Sequence, residues 1–217
     1  MSIAGRYDSL SKQEACHGRK SVIQIAQRHN MFKIAVFASG SGTNAENLIR
    51  HFNYELKGQK AKVELVVCNK PEAYVLTRAR NLNVPTVVTK DTEEIIENLR
   101  QREIDLILLA GYLLKIPKEL IDLYPDRIIN LHPSLLPKYG GKGMYGERVH
   151  KAVLENKEKY SGITLHLVDE EMDHGKILFQ SSFALSDDET LESLEAKIHI
   201  REQADYPRIA EAYLNTL

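Results

Sequence analysis

The sequence predicts an α/β fold: a mainly parallel central sheet flanked by helices, with an antiparallel strand extension in the C-terminal half. Three observations carry this expectation. Short apolar, β-branched runs alternate with helix-period segments from Phe32 to about Leu131. A glycine-rich turn joins the first such run to the first helical one. Beyond about residue 160 the rhythm changes to two strand-like runs separated by an acidic turn. The 217 residues suffice for one sizeable domain with a single core, and 43% hydrophobic with 27% charged residues is the balance of a globular chain.

Phe32–Ala38 reads as a buried strand, because it is continuously apolar and stops at the glycine turn. Asn44–Leu56 places Leu48, Ile49, Phe52 and Leu56 at helical spacing. Val63–Cys68 is a second strand and Glu72–Leu82 a second helix. Val84–Val88, Asp91–Arg102 and Leu106–Ala110 continue the alternation, with Asp91 as an N-cap and Glu94 three residues on, as in a capping box. Arg127–Leu131 adds a strand, Ile163–Val168 and Ile177–Ala184 add the later pair, and Glu192–Leu217 closes the chain as a helical segment interrupted at Pro207. In such sheets ligands bind beyond the carboxyl ends of the strands. Ser39–Asn44, Gly111–Ile116 and His132–Gly143 all follow strand ends and are rich in functional groups.

Residues 1–30 are set apart by composition, with five Lys or Arg against two Asp or Glu and no extended apolar run. A secretory signal needs an apolar core, so none is expected here. An organellar transit peptide and a loose extension ahead of Met31 both fit; the extension, poorly ordered and dispensable, is the favoured reading, leaving 31–217 as the domain. The near balance of 29 basic and 30 acidic residues argues against a nucleic-acid-coating protein. The longest apolar run, Leu106–Leu114, is too short to span a bilayer. With only Cys16 and Cys68, a disulfide scaffold is excluded and a reducing cytoplasm is the expected address.

The turn Ser39-Gly40-Ser41-Gly42-Thr43-Asn44 has the composition of an anion cradle. Its glycines permit close backbone approach, the following helix offers free N–H groups, and Ser41 and Thr43 add hydroxyl donors. Phosphate binding is favoured over a plain tight turn. Gly40, Gly42 and Ala45 also satisfy the G-x-G-x-x-A pattern of Rossmann-like dinucleotide sites. That reading wants an acidic residue at the end of the second strand, where the chain has Cys68-Asn69-Lys70. NAD is therefore disfavoured, and an NADP-dependent oxidoreductase with Lys70 near the extra phosphate stays as the competing enzyme reading.

Asn130 and His132 lie two apart on a strand, so both point to one face. An amide donor beside an imidazole suits acyl transfer, one group stabilising an oxyanion and the other moving protons. The acidic turn Asp169-Glu170-Glu171-Met172-Asp173-His174-Gly175 could supply a carboxylate partner, though most of its charges suit a solvated turn. Its spacing gives no support for a metal site.

Together these motifs resemble the phosphoribosylglycinamide formyltransferases, the folate-dependent enzymes of purine synthesis. The likeness runs from about Met31 to the C-terminus through the glycine loop, Leu109-Ala110-Gly111-Tyr112, Asn130-Leu131-His132-Pro133-Ser134-Leu135-Leu136-Pro137, the turn 169–175 and Arg201-Glu202-Gln203-Ala204-Asp205-Tyr206-Pro207. The Asn-x-His-Pro-Ser-Leu-Leu-Pro string is specific for formyl transfer from folate and is shared with related formyltransferases and a formyl-folate hydrolase. The stretches flanking the motifs in this sequence are too short for the extra domains of those relatives, so a glycinamide-type member is expected. The resemblance implies a Rossmann-like fold and transfer of the formyl group of 10-formyltetrahydrofolate, a co-substrate, to the amine of glycinamide ribonucleotide, without a metal. It implies Asn130, His132 and Asp173 as a catalytic trio, with Asp173 raising the His132 pKa. Gly42, Thr43, Asn44 and Glu202 would bind the ribonucleotide, and Leu113, Leu114, Lys115, Ile116, Asn130, Asp169 and Glu170 the folate. The partners implied are these small molecules, with no nucleic acid or membrane, for a monomer or homodimer. One segment departs from the family: Gly140-Gly141-Lys142-Gly143-Met144-Tyr145-Gly146 lacks the histidine many relatives carry there, the next being His150. A flexible loop over the folate site is expected. A catalytically idle folate or nucleotide binding module is the remaining alternative.

Overall fold

The computed structural model describes residues 31–58 and 60–217. The transit-peptide and extension readings, and Cys16, therefore lie outside the described residues. Seven strands form one sheet, β1 (Phe32–Ala38), β2 (Ala61–Cys68), β3 (Thr86–Val88), β4 (Leu106–Leu109), β5 (Ile128–His132), β6 (Tyr160–Leu167) and β7 (Ile177–Ala184). Their order is β3-β2-β1-β4-β5-β6-β7. The first five strands run parallel, and β6 and β7 join antiparallel, matching the class read from the sequence. The chain steps outward from β1 to β2 and β3, then returns to place β4 on the other side of β1. That reversal opens a crevice at the carboxyl ends of β1 and β4.

Both faces of the parallel part are covered, which is why its strands read as continuous apolar runs rather than alternating ones. Ile34, Val36 and Ala38 pack on one side with α1 (Thr43–Arg50), α2 (Val75–Asn81) and the long α6 (Leu191–Leu214). Ala35 and Phe37 pack on the other with α3 (Thr92–Gln101) and α4 (Lys118–Leu123). The Asp91 cap forms as expected, its carboxylate accepting the Glu94 N–H at 2.8 Å. Helices α4 and α5 (Glu147–Glu155) had no place among the elements read from sequence; α4 is only six residues long, too short for periodicity to announce.

Two helices differ from expectation. The first ends its regular turns at Arg50 and continues as a π-turn over His51–Glu55, with the Leu56 N–H bonded to the His51 carbonyl at 2.8 Å. There the Asn53 side chain pairs with both backbone groups of Val63 on β2, at 2.7 and 3.1 Å. The closing segment is not interrupted at Pro207: α6 runs unbroken through it. Proline removes the N–H that would bond the Gln203 carbonyl four residues back. The Asn47 amide from α1 donates to that carbonyl instead, at 2.8 Å. Next to it the buried Tyr206 hydroxyl reaches the Leu109 carbonyl at 3.1 Å, with the Ile129 carbonyl at 3.2 Å, fastening α6 across β4 and β5.

Candidate active site

All three strand-end segments singled out in the sequence line one cleft of about 480 Å³. At one end is the glycine turn. Gly42 caps α1 with φ 79°, a left-handed conformation open to glycine at little cost. Its environment makes the requirement stricter: a Cβ there would fall 2.5 Å from Val75. The turn is braced from behind, the Val75 N–H bonding the Gly40 carbonyl at 3.1 Å and Arg78 Nε the Ser41 carbonyl at 2.9 Å. Arg78 also pairs with Glu46, whose carboxyl is held below its ordinary value by Arg50 first and then by Arg78. The Ser39 hydroxyl accepts the Leu113 N–H at 2.9 Å, joining the turn to Gly111–Ile116.

The Asn44 side chain is committed to α6. Its Nδ2 donates to Glu202 at 2.9 Å and its Oδ1 accepts from Gln203 at 2.6 Å. What Asn44 offers a ligand is therefore its backbone N–H at the helix N-terminus. Glu202 reaches the cleft wall from α6. Burial pushes its pKa up, against the pull of Asn44 and of His199, whose Nδ1 is 3.5 Å away.

At the other end, β5 presents Asn130 and His132, and the turn after β6 brings Asp173 to them. His132 Nδ1 lies 3.5 Å from Asp173 Oδ2, and Asn130 Nδ2 donates to Asp173 Oδ1 at 3.2 Å. Asp173 takes the left-handed conformation, φ 59°, and its Oδ2 also accepts the Gly141 N–H at 2.9 Å. The His132 Nε2–H donates to the Tyr139 carbonyl at 2.8 Å, which leaves Nδ1 as the nitrogen where a proton can come and go. The loop 139–146 is thus tied to the trio at its start.

Burial is the largest influence on His132 and leaves its pKa below the ordinary value, although Asp173 pulls it upward as expected. Burial opposes ionisation of Asp173 too, yet its carboxyl stays below the ordinary value, the Gly141 N–H being among the groups that favour the ionised form. At neutral pH the arrangement is a neutral imidazole facing a carboxylate.

Leu113, Leu114, Lys115, Ile116 and Asp169 line the cleft between the two ends. Glu170 does not; it is exposed and paired with Lys118. Sequence reasoning passed over His166, directly opposite Asn130 in the β5–β6 pairing, and His150 on α5. His150 is buried, its Nδ1 has no partner, and burial with the His132 charge lowers its pKa. A histidine inside the apolar run Ile163–Leu167 was the available signal for His166. Lys70, which the nicotinamide reading required, is exposed and does not line the cleft. Among the described residues no group of three or more His, Cys, Asp or Glu side chains is placed to hold a metal ion, and no helix is long and apolar enough to cross a membrane.

A doubly wound sheet with an asparagine, a histidine and an aspartate gathered at its switch-point cleft has the architecture of an α/β enzyme. The formyl transferase family matches residues 32–210, and the chain belongs to that family. It is 38% identical to phosphoribosylglycinamide formyltransferase of Bacillus subtilis, covering 85% of this chain and 95% of that protein. It is 39% identical to the chloroplastic phosphoribosylglycinamide formyltransferase of Arabidopsis thaliana over 83% of this chain, and spans 64% of that longer protein. The crystal structure of phosphoribosylglycinamide formyltransferase from Bacillus halodurans superposes with a TM-score of 0.75 at 34% identity, covering 84% of this chain and 95% of the other.

Proposed function

We infer that this chain transfers the formyl group of 10-formyltetrahydrofolate to the amine of glycinamide ribonucleotide, a step of purine synthesis. The observation that carries the reading is one cleft with an anion cradle at one end and a buried Asn–His–Asp cluster at the other. The cradle suits a phosphoribosyl group, and the apolar wall Leu113–Ile116 suits the pterin. The ribonucleotide amine then attacks the formyl carbon, and the carbonyl electrons move onto the oxygen. Asn130 donates a hydrogen bond to that oxyanion, worth about 3 kcal/mol if it acts as other oxyanion donors do. Neutral His132 takes the proton the amine sheds, and Asp173 stabilises the imidazolium. Collapse restores the carbonyl, breaks the bond from carbon to N10, and returns the proton from His132 to N10. The depressed His132 pKa supports this cycle, since a base must be unprotonated to begin it.

Mixing the purified chain with both substrates tests the reading: loss of formyl-folate should require glycinamide ribonucleotide. Binding of both without turnover would favour the idle module instead. A cytoplasmic address accords with the free thiol of buried Cys68, and sedimentation would decide between monomer and homodimer.

A further inference from the structure

His166 lies in the sheet, 2% exposed, between the Asn130 amide and the Asp173 carboxylate. Its hydrogen bonds define its tautomer. Nδ1 is 2.8 Å from the Leu167 carbonyl, which can only accept, so Nδ1 carries a hydrogen. Nε2 is 3.0 Å from Asn130 Nδ2, which can only donate, so Nε2 is bare. An ion pair across the 3.6 Å to Asp173 Oδ1 would need a hydrogen on Nε2, and that hydrogen would confront the Asn130 amide. Turning the amide over gives no escape, because its oxygen would then face Asp173 Oδ1 at 3.2 Å with no proton between them.

The two hydrogens of the Asn130 amide therefore have different partners. One sits on His166 at 3.0 Å; the other rests on Asp173 by the longer contact of 3.2 Å. We propose that His166 is a positioning residue for formyl transfer: its bare Nε2 anchors one Asn130 hydrogen so that the other is aimed at the formyl oxygen. The β5–β6 register makes this possible by setting Asn130 and His166 opposite each other. As the oxyanion develops, the second hydrogen passes from Asp173 to the substrate, and the carboxylate is left to His132. A preorganised donor works through alignment, and without the anchor the amide can turn its oxygen toward the developing charge.

The proposal rests on the formyl-transfer reading, and its test separates the two. A two-bond proton–nitrogen NMR spectrum of the full chain should show His166 as the neutral Nδ1–H tautomer at pH 7. A doubly protonated ring, or the Nε2–H tautomer, overturns the anchor whatever the protein's activity, and no variant is needed to see it. In turnover, His166→Leu should lower kcat about 30-fold with KM for both substrates within about twofold, as loss of donor alignment predicts. His166→Gln, whose Oε1 can replace Nε2 as acceptor, should recover kcat to within about fivefold of the parent. In an Asn130→Ala background His166→Leu should change kcat by less than about twofold, because the group it aims is gone. The same loss in both backgrounds, or a loss confined to KM, overturns the proposal. A parent chain that transfers no formyl group overturns the functional reading and the catalytic role with it, while the tautomer result stands by itself.

Discussion

The two ends of the cleft are built on different physics. The glycine-turn end is held by backbone geometry: a left-handed Gly42, carbonyls pinned by Val75 and Arg78, and the Asn44 side chain latched to α6. The trio end is held by buried ionisable groups, with one carboxylate shared among an amide, a backbone N–H and two flanking imidazoles. The first end presents N–H groups whose availability does not depend on pH. The second gathers ionisable groups whose protonation is shifted by burial and by one another. Substitutions should therefore damage the first through shape and the second through charge.

Asp173→Asn should give the largest effect. It keeps shape and removes the charge that draws the His132 pKa upward, so that pKa should fall further and turnover should drop on the order of 10³-fold. The fold and most folate affinity should remain. Histidine NMR titration alongside a rate measurement checks this; an unchanged His132 pKa with near-normal turnover would break the charge-based account of that end.

At the other end, Gly42→Val should act through shape. Its Cβ would overlap Val75 at 2.5 Å in a left-handed backbone, costing roughly 3 kcal/mol of stability as well as ribonucleotide affinity. The obstacle is Val75 packing, not a side chain entering the anion cradle. Gly40→Ala is the cleaner probe, since a Cβ there meets nothing within 4 Å. It should leave the melting temperature nearly unchanged. Calorimetry with each substrate should then show the ribonucleotide weakened and formyl-folate retained; selective loss of folate binding would mean the two ends had been exchanged.

Glu202→Gln belongs between these cases. The amide can still accept from Asn44, so stability should stay within about 0.5 kcal/mol, while lost charge weakens ribonucleotide binding about tenfold. Equal affinity in parent and variant, measured by calorimetry, would show that Glu202 serves only the latch.

The smallest effect is that of pH on stability. His132 and His150 have folded pKa values below the ordinary 6.5, so below about that pH the unfolded chain binds more protons than the folded one. Melting temperature should fall as pH drops through this window, and His150→Leu should remove part of the slope. The Asp173 contribution belongs to a lower window, lost as pH falls from 3.8 through its folded value. A flat melting temperature between pH 7 and 5 would argue that neither imidazole is buried in its neutral form.

Much of this was legible in the chain. Continuous apolar runs announced doubly covered parallel strands, and Asn130 and His132 were visible because a strand repeats every two residues. The glycine turn was visible because few residues accept its backbone. These are local properties, and local chemistry determines them. His166 was not legible as a partner of Asn130, because the pairing depends on the register of β6 against β5, a contact between residues 36 apart in sequence. Asp173 was one acid among several until the fold brought its carboxylate beneath two imidazoles, and Pro207 looked like a break until Asn47 supplied the missing donor. The sign of the His132 shift was also hidden: a sequence shows the carboxylate that raises it, whereas only the packed structure sets the burial that lowers it further. Elements and their chemistry are written locally along the chain; pairing and protonation arise only in the packed fold, because both depend on distance and dielectric between groups far apart in sequence.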